Sequence, residues 1–150
     1  WQCTTCAIGF LIAPDWFRPM NTHEELVEKV ETLAERDGRF RKEAYFFVFE
    51  ALQFTVKSLN LTGKQRHVTG QQLAHGIKEY ALDRFGPMTL SVFEHWGVRS
   101  TLDFGEIVFG LVEAGLMGKT EEDSIEDFVD VYDFQKAFDW HNAIGRKLRK

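Results

Sequence analysis

Six consecutive residues, Ala44-Tyr45-Phe46-Phe47-Val48-Phe49, are apolar, and they open a stretch from Lys42 to Leu59 that reads as one helix. Six successive positions go fully around a helix of 3.6 residues per turn, so the first half of this one is apolar on every side. A helix apolar all round has to be covered by other elements, which makes residues 42 to 59 the expected hub of a core. The rest of the chain must supply its covers.

They are legible as amphipathic helices with local start and stop signals. Thr22 and Glu25 have capping-box spacing ahead of Leu26, Val30, Leu33 and Ala34, and Gly38 ends that helix. Thr69 and Gln72 open a third helix through Leu73, Ile77, Tyr80, Ala81 and Phe85, which stops at Gly86-Pro87. A short fourth helix runs from Pro87 to Trp96 and is stopped by Gly97. Ser100 and Asp103 start a fifth, carrying Phe104, Ile107, Val108, Leu111 and Val112 to Gly115.

Beyond Gly115 the pattern changes. Leu116-Met117 and Phe128-Val129-Asp130-Val131-Tyr132-Asp133-Phe134 bracket an acidic turn region, and the second run alternates in part, which predicts a small β-hairpin. A last amphipathic helix is expected over Gln135 to Leu148, its basic end suiting the helix dipole. The expected fold is mainly α with a small β-hairpin: a helical bundle with a winged-helix-like C-terminal part, in which residues 90–134 follow the order helix, turn, helix, wing.

A chain of 150 residues with 44% hydrophobic residues and 14 phenylalanines has the material for one core, and a domain of this size buries about two thirds of its unfolded surface. Residues 20–150 read as a single helical domain. Residues 1–19 lack helical periodicity and are punctuated by proline, so they read as a non-native leader ahead of Met20 or as an arm packed through Phe10, Trp16 and Phe17. The longest apolar stretch, near Ala7 to Ala13, is too short to span a bilayer, and no membrane partner is expected. Two cysteines near the N-terminus are not a disulfide framework, so the expected location is cytoplasmic.

The formal charge of -5 opposes bulk attraction to nucleic acid. It is unevenly placed: residues 121–133 carry Glu121, Glu122, Asp123, Glu126, Asp127, Asp130 and Asp133 without a cation, whereas the tail holds Arg146, Lys147, Arg149 and Lys150. The expected partner is another protein. Nucleic acid is disfavoured because Asp103, Glu106 and Glu113 occupy the helix that would have to read base edges.

Chemistry-bearing patterns are sparse. Cys3-x-x-Cys6 has the spacing of half a zinc site, but there is no second cysteine pair to complete it. His75, Glu79 and Asp83 share one face of the third helix and form a weak candidate for a metal site, although the apolar residues lie on the opposite face. Trp96 beside Gly97 is either a core plug or an interface anchor, and with Arg99, Glu121, Glu122 and Asp123 it makes the weak candidate set for interaction. Glycine cradles and nucleophile elbows are absent, so no catalytic residue and no cofactor is nominated.

Several short runs resemble a family of short uncharacterised proteins from planctomycetes and verrucomicrobia. They are Glu35-Arg36-Asp37-Gly38-Arg39, Glu43-Ala44-Tyr45, Glu50-Ala51-Leu52, Arg66-His67-Val68-Thr69-Gly70-Gln71, Phe85-Gly86-Pro87, His95-Trp96-Gly97, Asp103-Phe104-Gly105-Glu106-Ile107-Val108 and Lys119-Thr120-Glu121-Glu122-Asp123. The resemblance covers about Thr22 to Phe138 and implies a bacterial protein, with no activity, cofactor or site residue attached. Three functions follow in order of expectation: a non-enzymatic protein-interaction module, a winged-helix-like nucleic-acid-binding regulator, and a metal-dependent enzyme on the His75 stripe.

Overall fold

The computed structural model describes residues 2–3, 23–60 and 67–141. In chain order these form β1 (Gln2–Cys3), α1 (His23–Asp37), α2 (Lys42–Ser58), α3 (Gly70–Phe85), a 3-10 turn (Gly86–Met88), α4 (Thr89–Trp96), α5 (Thr101–Glu113), β2 (Met117–Gly118), a second 3-10 turn (Ile125–Phe128) and the one-turn α6 (Phe134–Ala137). The protein is mainly helical.

α2 is the hub that its composition demands. Ala44, Tyr45, Phe47, Val48, Phe49, Ala51, Leu52 and Thr55 are buried along it, and α1, α3, α4 and α5 all pack against it. The closest approach is between α2 and α3, where Gly76 leaves room for Thr55: a β-carbon there would stand 1.8 Å from the Thr55 hydroxyl oxygen. Thr55 itself donates to the carbonyl of Ala51 at 2.7 Å, so its buried hydroxyl needs no partner from α3.

The starts of α3 and α5 are set locally. Thr69 accepts from Gln72 N at 3.2 Å while the Gln72 side chain accepts from Thr69 N at 3.0 Å, closing a capping box. Ser100 and Asp103 form a second one ahead of α5. Each supplies acceptors for amides that have no partner within the helix, worth about 1 kcal/mol per cap. Thr22, the expected cap of α1, lies outside the described residues, as do Cys6, Met20 and the basic tail.

Gly97 does two things at once. Its φ of +86° ends α4 in the left-handed conformation, and its missing side chain lets the Arg39 carbonyl approach, since a β-carbon would lie 2.6 Å from that oxygen. Arg41 N donates to the Trp96 carbonyl at 3.2 Å beside it. The turn after α1 and the turn after α4 are thereby locked together at one end of the bundle.

The expected hairpin between Leu116-Met117 and residues 128–134 is not formed. Met117–Gly118 pairs antiparallel with Gln2–Cys3 instead, with Gln2 opposite Gly118 and Cys3 opposite Met117. The chain turns at Ser124, ahead of the second run, where a capping box with Asp127 starts the 3-10 turn, and the run itself turns at Asp133, which caps α6 by accepting from Lys136 N at 3.0 Å. Asp130 has a φ of +47°, which no strand tolerates. Phe128 is fully buried against Gly105 of α5, and the outward residues are Val129, Asp130 and Asp133, which do not alternate. The partial alternation thus belongs to a segment whose acidic residues start short helical turns. The last helix, expected over Gln135 to Leu148, is a single turn, Phe134–Ala137, that ends at Phe138 with a break before Trp140, and residues 142–148 lie outside the described region.

α5 also departs from its expected role. Of Thr101–Glu113 only Glu113 is exposed, and Phe104, Ile107, Val108 and Leu111 are buried. It is largely a core helix, and its outer side, through Glu106 and Glu113, is acidic.

Candidate functional site

The acidic segment is best built from its inward-facing parts. Asp123, expected at the surface, is only 7% exposed. Its Oδ2 accepts from Thr120 N at 2.8 Å and from the Thr120 hydroxyl at 3.1 Å, and its Oδ1 lies 3.4 Å from His67 Nε2. Asp127 accepts from Ser124 N at 3.2 Å, and the Ser124 hydroxyl donates to Glu126. Asp133 caps α6. Val131 N donates to the Thr101 hydroxyl at 3.4 Å, and the Tyr132 hydroxyl donates to the Ala74 carbonyl at 3.0 Å, tying the segment to α5 and α3.

Three of the seven acids that mark this stretch, Asp123, Asp127 and Asp133, therefore hold backbone turns. Glu121, Glu122 and Asp130 remain exposed, together with Val129 at 48% exposure. The local pattern Ser124-x-x-Asp127 was the signal that this is a capped turn and not a strand linker.

Asp123→Ala is expected to cost about 1–3 kcal/mol, because the Thr120 amide and hydroxyl lose their acceptor. Hydrogen exchange at residues 120–124 should accelerate in that variant while α2 stays protected. Unchanged exchange at Thr120 would show that Asp123 does not hold the turn.

Trp96 is half-buried and belongs to the core: its ring lies 5.5 Å from Phe47, 5.6 Å from Phe85 and 6.0 Å from Phe93 between centroids. Arg99 is exposed just before α5, and its backbone amide, not its guanidinium, makes the contact with Asp103, at 2.8 Å. The interaction set proposed from sequence is thus dispersed: a core ring, a buried staple and three exposed charges.

His75, Glu79 and Asp83 are exposed along α3, where eight residues separate the first from the last by about 12 Å of helix rise. Among the described residues no group of three His, Cys, Asp or Glu side chains converges on a point that would hold a metal ion. His75 and Glu79 instead border a groove of about 350 Å³ whose other wall is Phe54, Ser58 and Leu59 at the end of α2.

A polar junction that sequence reasoning did not single out lies where α1 ends. Arg39 donates to Asp37 through Nε at 3.1 Å and Nη2 at 3.4 Å, and its Nη1 donates to Glu106 of α5. Tyr45 of α2 donates to Asp37 Oδ2 at 2.9 Å. Hydrogen bonding to Asp37 raises the pKa of Arg39 above its ordinary value. Asp37, Arg39 and Glu106 line a groove of about 550 Å³ with Arg36 and Glu113. Its cations already face carboxylates of the same chain, so the junction ties three helices together.

Burial is the first cause that lifts the phenols of Tyr132 and Tyr45 above their usual range, reinforced for Tyr45 by the bond to Asp37. A raised phenol pKa in the folded state means that the folded form holds its proton longer than the unfolded chain does. The associated stability is complete below pH 10, the unfolded value, and is lost progressively as pH climbs above it. Denaturant midpoints should therefore fall between about pH 10 and 12, and the fall should be shallower in Tyr132→Phe. An identical slope in that variant would place the alkaline sensitivity elsewhere.

No family model, curated protein or solved structure matches the chain. Among the described residues no helix is long and apolar enough to cross a membrane.

Proposed function

We propose that the protein is a non-enzymatic interaction module of the cytoplasm whose contact face is the outward side of residues 120–133, and that its partner is a protein with a basic face. The observation that carries this reading is the anchoring of that segment. It has little regular structure, yet Asp123, Asp127, Phe128, Val131, Tyr132 and Asp133 each fasten it, so Glu121, Glu122, Val129 and Asp130 are presented from a preorganised backbone. Preorganisation lowers the ordering cost of association, and charge complementarity sets the encounter rate and register. Kinship with the short proteins of planctomycetes and verrucomicrobia is part of the proposal and brings no activity with it.

The test uses the immobilised full chain. A stoichiometric protein should be retained from lysate of the source cells, be released by raised salt, and be lost by the variant Glu121→Lys/Glu122→Lys/Asp130→Asn at unchanged thermal stability. Asparagine is chosen at 130 because it tolerates the positive φ there. Equal retention by the triple variant, or no stoichiometric partner, overturns the reading. A nucleic-acid regulator has less support, because α5 is buried and its exposed end is Glu113. Retardation of duplex DNA at low salt would favour it instead.

A further inference from the structure

At Asp37-Gly38, and nowhere else in the sequence, an aspartate or asparagine precedes a glycine. Such a bond is open to an internal reaction, because glycine has no β-carbon to crowd its amide nitrogen as that nitrogen approaches the neighbouring side-chain carboxyl. The fold requires the glycine: its φ of +71° ends α1 in the left-handed conformation. A β-carbon there would meet nothing within 4 Å, so water reaches the bond. Asp123-Ser124, where a small residue also follows an aspartate, differs on both counts, since Ser124 carries a β-carbon and Asp123 is buried.

Both reacting groups are occupied in the folded chain. The Asp37 carboxylate accepts from the Tyr45 hydroxyl at 2.9 Å and from Arg39 Nε at 3.1 Å and Nη2 at 3.4 Å, while Gly38 N donates to the Ala34 carbonyl at 2.9 Å. Reaction therefore requires a local opening that releases them. We infer that Asp37 is a site of spontaneous isoaspartate formation, and that the clamp of Tyr45 and Arg39 on its carboxylate sets the rate. The Gly38 nitrogen forms a bond to Asp37 Cγ, the bond from Cγ to one carboxyl oxygen breaks, and that oxygen leaves as water with the amide proton and a carboxyl proton. Water then opens the five-membered imide. Cleavage at the former main-chain carbonyl leaves the chain running through Cγ, with a carboxylate on the α-carbon; one water has left and one has entered, so no other reactant is needed. The product places the Asp37 β-carbon in the main chain immediately before the turn that carries Arg39.

The test incubates the full chain, Tyr45→Phe and Arg39→Gln for weeks in neutral buffer, each with and without denaturant. Isoaspartate is located by electron-transfer fragmentation of the digested protein and quantified by enzymatic methyl transfer from S-adenosylmethionine. Dividing each native rate by the denatured rate of the same chain removes differences in intrinsic reactivity. Each substitution takes away a hydrogen bond to a charged acceptor, so the native-to-denatured ratio at Asp37 should rise by about threefold or more in both variants. Arg39→Gln changes a half-exposed side chain and carries the test if Tyr45→Phe folds poorly. Gly76→Ala, which strains the contact between α2 and α3 away from the clamp, should leave the ratio near that of the parent. No isoaspartate at Asp37 in either clamp variant overturns the inference, as does an unchanged ratio in a clamp variant that is folded by circular dichroism. So does an equal rise in Gly76→Ala, which would mean that global unfolding exposes the bond, or more isoaspartate at Asp123 than at Asp37 in the native chain.

Discussion

Phe93→Ala is expected to be among the most damaging single substitutions in this protein, lowering stability by about 3–5 kcal/mol. Phe93 is fully buried on α4, with ring centroids 5.1 Å from Phe138, 5.3 Å from Phe104, 5.5 Å from Phe47, 5.6 Å from Phe134 and 6.0 Å from Trp96. Its ring touches α2, α5 and the C-terminal turn at once, so no single neighbour can move in to fill the space. The cost then includes both the lost transfer energy and the cavity left behind. For a chain of this size that corresponds to a fall in Tm of about 10–15 °C, measurable by calorimetry. Phe93→Leu keeps much of the volume and should lose less than half as much. Equal losses for Leu and Ala would mean that ring geometry, not volume, dominates.

The second large effect is expected at Gly76, with the opposite cause. Gly76→Ala improves helix propensity by about 1 kcal/mol, which on an exposed helix would be a gain. Here the new methyl would lie 1.8 Å from the Thr55 hydroxyl oxygen, 2.8 Å from its β-carbon and 2.9 Å from its γ-methyl. α2 and α3 are the most extensively packed pair in the fold, so the helices must separate or Thr55 must leave its rotamer. Overpacking of this kind costs about 1–3 kcal/mol, and the net result is destabilisation despite the propensity gain. Adding Thr55→Ala removes two of the three clashing atoms and should recover part of the loss, a coupling that a double-mutant cycle reads directly. A Gly76→Ala protein as stable as the parent would show that the two helices are not held at this separation.

The two sites differ in how far they were visible beforehand. The apolar run Ala44–Phe49 already required a central helix, whereas the sequence placed Phe93 only within a short one, and the fold shows it fully buried. Gly76, by contrast, lies in a helical pattern where a lone glycine has no local explanation, and its reason is a residue twenty-one positions earlier, across a helix interface. Asp123 behaves the same way. In sequence it is one acid among seven, and only the fold separates it, buried and bonded to Thr120 beside His67, from Glu121 and Glu122 in solvent.

What the sequence determined by itself is the part of the structure governed by short-range interactions. Helix α2 and its apolar first half, the capping boxes at Thr69 and Ser100, and the stops at Gly38, Gly86 and Gly97 all depend on residues within one turn of each other, although α2 keeps an exposed stripe through Glu43, Glu50, Gln53 and Lys57. Tertiary structure alone decided the rest. The strand at Met117–Gly118 could take any extended partner, and backbone pairing carries no side-chain signature that would have pointed to Gln2–Cys3 across more than a hundred residues. α5 reads as amphipathic, yet it is enclosed, because Phe128 from the acidic segment folds over Gly105 and Arg39 reaches Glu106 from the turn after α1. The acidic stretch looked like a charged surface, and in the folded chain Asp123 is turned inward while Asp127 and Asp133 join it in satisfying backbone amides that water would otherwise have held.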